Sequence, residues 1–441
     1  VTNSERRISR QRAFLPAPGE ARPDWWILSE VAKRLGFGAA FNFSSAAGIF
    51  REHAALSAFE NNGVRDFDIG ALQTVSDDAF DAMSPVLWPM RWGDLESRKR
   101  FFANGGFYGS DRKARFAAPD IPALRTETNA GRPLRLNTGR IRDQWHTMTR
   151  TGMSPRLGSH LPEPFVEIHP DDAIKFGVSD DSFARIVTDY GECILKVTVN
   201  ARQQRGMLFA PIHWSEANAS NARVGALISP HTDPFSGQPE SKATPASIAP
   251  YEYVFRGFVL SRMPLQLPGH LWWARAAVKG GYAYLFADNA DLARWPAWLK
   301  SFAGEDLAEY RDFGGGVYRA ASFAGGRIET CLFVGPAHDA GDWDVVKNLF
   351  AADSLGDDER RLLLSGKAAD GLASCGPIVC ACFGVGRATI CDTIAAGARS
   401  AAEIGARLKA GTNCGSCIPE LKRLIAQTDA SSAQQPMAAV N

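Results

Sequence analysis

The chain has 441 residues, 45% apolar and 22% charged, with 49 Lys and Arg against 48 Asp and Glu. That is the makeup of an ordinary globular protein with room for roughly three domains, and it excludes the global field that gathers nucleic acid or an anionic membrane. No apolar run nears the ~18 residues of a membrane span, and no signal peptide opens the chain.

Residues 20–60 read as helical. Asp24 caps a run with Trp25, Trp26, Leu28, Val31, Ala32 and Leu35 on helical spacing, stopped by Gly36 and Gly38; a second helix covers Ala46 to Phe59. Prolines at 85, 89, 119, 122 and 133 punctuate an irregular stretch over 70–132, where Trp88 and Trp92 read as packing residues. From Leu134 to about Ile248 the texture turns to β. Residues 182–189 and 192–200 form alternating strands joined by Tyr190-Gly191, 206–212 is another strand, and a helix over 171–176 lies between Pro170 and Gly177. Short strands with one or two helices predict a compact β-barrel.

Over 251–370, Trp272-Trp273, Trp295 and Trp298 read as lying among short helical runs. Two strands follow, 316–323 and 327–334, with Gly325-Gly326 at their hairpin, then helices over 343–350 and 357–364. Gly371–Ser374 reads as a linker, and the Ala/Ser/Gln-rich tail from about Thr428 as disordered.

The most specific signal is Cys380-x-Cys382 followed, after 31 residues, by Cys414-x-x-Cys417. Two tight pairs among eight cysteines point to metal in a reducing compartment rather than to a secreted disulfide scaffold, hence to the cytoplasm. Four thiolates suit Zn²⁺ or an iron–sulfur cluster, and the absence of His among them excludes a Rieske-type centre. Zinc ribbons present two Cys-x-x-Cys knuckles on hairpins. Here one pair is Cys-x-Cys and both lead into helical patterns, whose N-termini favour a negatively charged group; spacing therefore ranks [2Fe–2S] above structural zinc. Cys193 and Cys331 lie in expected strands and Cys391 in a helix, where they read as core; Cys375 reads as a spare thiol.

A second constellation, Asn137 through Thr147, is dense in groups that bind a phosphorylated heteroaromatic ligand. Gly139 offers close backbone approach, Thr138 and Thr147 hydroxyls, and Arg140, Arg142 and Arg150 bidentate pairing with a pyrophosphate. Gln144, Trp145 and His146 supply amide, stacking and imidazole contacts. A turn with a solvated basic face remains the plain alternative.

The cysteine spacing and its flanks resemble the bacterioferritin-associated-ferredoxin-like [2Fe–2S] domain over about 375–428. The Thr138-Gly139-Arg140 loop, His160, the run 166–173, Glu216–Asn221, Asp233-Pro234 and Pro239–Lys242 resemble the C-terminal domain of molybdopterin-dinucleotide oxidoreductases; residues 2–7 resemble the preceding molybdenum domain. The combination is similar to the catalytic subunit of bacterial assimilatory nitrate reductases.

The resemblance implies a mixed α+β multidomain chain: part of the molybdopterin core over 1–130, a double-psi β-barrel binding the dinucleotide over 131–250, a linker and small α+β domain over 251–370, a small helical [2Fe–2S] domain over 375–428 and a tail over 429–441. It implies that Thr138, Gly139, Arg140, Gln144, Trp145, His146, Thr147, Asn221 and Lys242 line molybdopterin guanine dinucleotide (Mo-bis-MGD), with His213 near the pterin, and that Cys380, Cys382, Cys414 and Cys417 hold the cluster. It further implies nitrate as substrate and a donor protein such as ferredoxin, flavodoxin or an NADH-dependent flavoprotein, with neither nucleic acid nor membrane as partner. The family's [4Fe–4S] domain and molybdenum ligand have no counterpart in these residues and are expected in a missing N-terminal part, so no catalytic residue is assigned. A formate dehydrogenase-like enzyme, or a non-catalytic electron-transfer fragment when isolated, are the rival readings.

Overall fold

The computed structural model describes residues 1–94, 100–103, 105–120, 123–336, 342–365 and 375–433. Gly371–Ser374, read above as a linker, lies outside the described residues, as do 434–441 of the tail. The chain divides into two compact units, 1–122 and 123–441.

In the first unit, β1 (Arg7–Ile8) pairs antiparallel with β2 (Val86–Leu87), and the helices are α1 (Asp24–Arg34), α2 (Ala46–Ala58) and α3 (Asp77–Asp81). Asp24 does not cap α1. Pro23 takes the cap position, and Asp24 sits in the first turn, where its charge complements the helix dipole. Ser45 caps α2, its hydroxyl accepting from the Gly48 amide. The core is small, built on Ile8, Ala54 and Ile69 with Phe50, Phe67 and Trp88 around them. Trp88 packs as expected, whereas Trp92 is 67% exposed.

The second unit opens with β3 (Leu134–Gly139), α4 (Pro155–Gly158), β4 (Phe165–Ile168), α5 (Pro170–Phe176), β5 (Phe183–Val187), β6 (Glu192–Val199), β7 (Met207–Pro211) and β8 (Thr244–Pro250). These six strands close into a barrel in the order β3-β7-β4-β6-β5-β8. The pairs β3/β7 and β4/β6 are parallel and the others antiparallel. Strand β3 shows the cause of closure: Leu134, Leu136 and Thr138 alternate inward with period two. Helix α5 is bounded as its sequence predicts, with His169 capping, Pro170 in its first turn and Gly177 at φ +69° ending it.

Next comes a six-stranded antiparallel sheet of β9 (Phe255–Ser261), β10 (Trp272–Val278), β11 (Gly281–Asp288), β12 (Leu307–Asp312), β13 (Val317–Ala324) and β14 (Arg327–Pro336), in the order β10-β11-β9-β14-β13-β12. Helix α6 (Trp295–Lys300) lies between β11 and β12, and α7 (Trp343–Phe350) and α8 (Asp357–Leu363) follow β14. Trp272 and Trp273 therefore stand in a strand, not a helix. The central strands bury both faces: Phe258 and Leu260 enter one core, Val259 the other. With both faces apolar, the period-two signature of a strand disappears from the sequence.

The C-terminal domain comprises β15 (Ile378–Cys380), β16 (Val385–Gly386), α9 (Arg387–Ala395), α10 (Ala401–Leu408) and α11 (Ile418–Ala433) around Val379, Ile390, Ile394, Ile404, Leu421 and Leu424. Helix α11 runs past Thr428, where disorder was expected. The fold class is thus mixed α and β, with a closed barrel and a small, mainly helical C-terminal domain.

Candidate functional site

The loop leaving β3 is shaped by backbone conformation and one imidazole. Asp143, His146 and Met148 all have positive φ (70°, 43° and 62°), which interrupts regular strand pairing. His213, fully buried, holds the turn from below. Its Nε2 accepts from the Ile141 amide at 3.0 Å, and its Nδ1 donates to the His146 carbonyl at 2.6 Å. This needs the neutral imidazole, and burial holds the His213 pKa below its ordinary value, with the Arg140 charge adding to the effect.

Thr138 points into the barrel rather than outward: it is 2% exposed and its hydroxyl donates to the Ser241 carbonyl at 2.6 Å. The Lys242 ammonium donates to the Thr138 carbonyl, so these two distant residues do meet, as partners of one another. Gly139 is required by the barrel itself, since a Cβ there would lie 2.8 Å from the Phe209 ring. Arg140 stacks over Trp145 at 4.7 Å, and among the described residues its guanidinium meets no carboxylate. Gln144 accepts from the Thr151 hydroxyl at 2.7 Å. The loop serves two cavities. Gln144 and Thr147 line one of about 600 Å³ with Trp214, Asn218 and Arg275. Arg140 lines another of about 780 Å³, shared with Arg142, Arg202, Arg387 and Arg423. Asn221, exposed and at φ +46°, lines neither, and its carbonyl accepts from the Ile194 amide. An arginine stacked on an indole, without a carboxylate partner among the described residues and lining an arginine-rich cavity, fits a pyrophosphate-bearing heteroaromatic group.

The four cysteines converge from two ends of the domain. Cys380 ends β15, whose pairing with β16 makes a hairpin around Ala381–Gly384, with Gly384 at φ +65°. The expectation that both pairs lead straight into helices therefore holds only for Cys414-x-x-Cys417, which runs directly into α11. The thiols meet across the motifs. Cys382 and Cys414 lie 3.3 Å apart at the surface, and Cys417 meets Cys380 in the interior, both 3% exposed or less. Burial and the adjoining Cys380 push the Cys417 thiol up to about 11, whereas the Ser416 hydroxyl and amide, and then Cys382, hold Cys414 below its ordinary value. Among the described residues no three His, Cys, Asp or Glu side chains converge as they would on a single ion. Two pairs of thiols, one inner and one outer, instead fit a two-iron cluster with four cysteine ligands. Cys193 and Cys331 are fully buried and Cys391 packs against the domain core, as expected.

Between barrel and cysteines lies a charged knot that the sequence did not announce. Arg142 does not face a pyrophosphate. Its Nη2 donates to the Val379 carbonyl at 2.7 Å and to Glu420 at 2.8 Å, with the His160 imidazole 2.8 Å away. Asp143 lies 3.1 Å from the other nitrogen of His160, and Arg156 donates to the Cys382 carbonyl at 3.2 Å. Burial works against a charged His160, but the Asp143 and Glu420 carboxylates outweigh it and its pKa ends above the ordinary value. No local signal could pair residue 142 with residue 420.

Comparison with known proteins assigns both regions to known domain families. The Molydopterin dinucleotide binding domain matches residues 134–245, the BFD-like [2Fe-2S] binding domain 378–427, and Molybdopterin oxidoreductase 1–34. A nitrate reductase of Klebsiella oxytoca is 42% identical over 428 residues, 97% of this chain and 48% of that protein. An assimilatory nitrate reductase catalytic subunit of Bacillus subtilis is 29% identical over 231 residues, 52% of this chain and 31% of that protein. An F420-dependent formate dehydrogenase 1 subunit alpha of Methanococcus maripaludis is 29% identical over 248 residues, 56% of this chain and 34% of that protein. The chain thus spans half or less of the length of these relatives. The chain joins a barrel that matches the molydopterin dinucleotide binding domain to a C-terminal domain that matches the BFD-like [2Fe-2S] binding domain.

Proposed function

We propose that this chain is the dinucleotide-holding and electron-receiving part of a cytoplasmic enzyme that reduces nitrate to nitrite in nitrate assimilation. The observation that carries the reading is the nitrate reductase likeness, 42% identity across 97% of the chain, which runs through barrel and cysteine domain alike. Likeness to the formate dehydrogenase covers only 56% of the chain, which makes that activity the weaker alternative.

When bound, the molybdenum dinucleotide supplies oxygen-atom transfer and the iron–sulfur cluster one-electron transfer. The overall balance is NO₃⁻ + 2e⁻ + 2H⁺ → NO₂⁻ + H₂O. The chain's residues hold and orient these groups. Arg140 would neutralise the pyrophosphate while Trp145 braces its guanidinium. Gln144 and Thr147 contact the ring system from the neighbouring cavity. Thr138, Gly139, His213 and Lys242 keep the loop in place from within the barrel, and His146 and Asn221, exposed and outside both cavities, would meet only a part of the dinucleotide that projects beyond them. Cys380, Cys382, Cys414 and Cys417 hold the cluster, and the exposed Cys382/Cys414 edge takes electrons from a ferredoxin, flavodoxin or NADH-dependent flavoprotein.

The test is direct. Loaded with iron and sulfide and then reduced, the chain is expected to give the EPR signal of a [2Fe–2S]⁺ centre, and the full-length enzyme to turn over nitrate rather than formate. A colourless protein saturated with zinc, or formate oxidation without nitrate reduction, refutes the reading.

A further inference from the structure

We infer that Arg142 is the positioning residue by which the dinucleotide-binding loop grips the [2Fe–2S] domain and sets the reduction potential of its cluster; this rests on the [2Fe–2S] reading given above. Arg142 belongs to the barrel, two residues beyond Arg140, yet its hydrogen bonds go to the other domain. The two N–H groups of Nη2 are matched by the Val379 carbonyl at 2.7 Å and Glu420 at 2.8 Å. Val379 immediately precedes Cys380, and Glu420 stands one turn beyond Cys417, its amide bonded to the Cys417 carbonyl. A single guanidinium thus touches the chain next to each of the two inner cysteines, one from each motif.

The charges are partly withdrawn from water. The Arg142 side chain is 19% exposed and Glu420 21%. A positive charge in such surroundings acts over several ångströms with little screening. Reduction of the cluster adds one electron to a centre already carrying four thiolate ligands. Arg142 therefore favours the reduced form and Glu420 opposes it, which is how nearby charge moves a cluster's potential. Cys414 of the outer pair is exposed, while the inner Cys380/Cys417 pair is buried beside the groups that Arg142 holds.

The experiment is a potentiometric EPR titration of the iron- and sulfide-loaded 441-residue chain, comparing parent, Arg142→Gln, Arg142→Lys and Glu420→Gln. Removing the positive charge is expected to lower the midpoint potential and removing the negative one to raise it, with Arg142→Lys falling between Arg142→Gln and parent. Opposite signs separate charge from loosening, because general exposure of the cluster to water moves both variants the same way. Should Arg142→Gln load poorly, Glu420→Gln still decides: a rise supports the role, and no change or a fall overturns it. Parent and Arg142→Gln titrating together likewise overturn it. A parent that takes up no cluster overturns the underlying reading and the inference with it.

Discussion

Gly139→Ala separates two explanations for one residue. Gly139 lies in β3 opposite Pro211 of β7, and an added Cβ would come 2.8 Å from Cε2 of Phe209 and 3.4 Å from Cζ. Carbon atoms in contact prefer ~3.5–4.0 Å, so ring or strand must yield by roughly 0.7–1.2 Å. Phe209 is half-buried and can tilt, which places the expected loss of stability at the lower part of the overpacking range, about 1–2 kcal/mol. The assay is urea unfolding of the 441-residue chain and of Gly139→Ala, Phe209→Leu and the double variant. If the packing argument holds, the double variant is more stable than the sum of the singles by about 1 kcal/mol. Calorimetric titration with GDP, a probe carrying the same pyrophosphate, is expected to change little in the double variant. An unshifted urea midpoint in Gly139→Ala combined with lost GDP binding refutes the reasoning, and would show that the glycine makes room for a ligand instead.

Arg140→Ala is expected to lower molybdenum occupancy of the full-length enzyme, measured by elemental analysis, because its guanidinium, stacked on Trp145, meets no carboxylate among the described residues. Lys196→Met removes the ammonium 3.1 Å from Glu163, which is only 8% exposed; with Arg256 still 3.5 Å away, the loss in urea unfolding should be about 2–3 kcal/mol, below that of a fully buried pair. Trp272→Phe keeps most of the ring but deletes the N–H that donates to the buried Ile194 carbonyl at 2.9 Å, for a loss of about 1–2 kcal/mol in the same assay. The pH prediction concerns Asp181. Burial raises its pKa, but Lys196 and Arg256 outweigh this and hold it below 3.8. Its stabilisation is therefore present above the unfolded value and lost as pH falls through the folded one. Asp181→Asn should flatten the acid limb of stability below about pH 4, by less than ~1 kcal/mol because the side chain is 64% exposed.

What the sequence disclosed, and what it hid, follows from locality. Barrel strands with one polar face showed their alternation, and α5 was legible because proline and glycine bracket it. The four cysteines were legible because ligand type and spacing are local. Strands β9, β10 and β11 were not, since cores on both sides place apolar residues at successive positions and blur the alternation. The hairpin around Cys380–Gly384 was hidden because it depends on β16, a strand of two residues. The loop after β3 was located, but the roles of its members were not. Thr138 turned inward to Ser241, and Arg142 turned away to Glu420, because their partners stand 103 and 278 positions further along.

The crossing of the two cysteine motifs bears on how this protein comes to be made. The domain they close has roughly 50 residues, a size at which an apolar core alone gives only marginal stability. A metal centre held by the four cysteines would tie its first hairpin to its last helix as a rivet, and folding would then wait on it. The carbonyl and carboxylate that Arg142 grasps lie on opposite sides of that rivet. Where iron runs short, the barrel is expected to finish without its tail end seated, and protease nicking between residues 375 and 428 in iron-starved cells would report it.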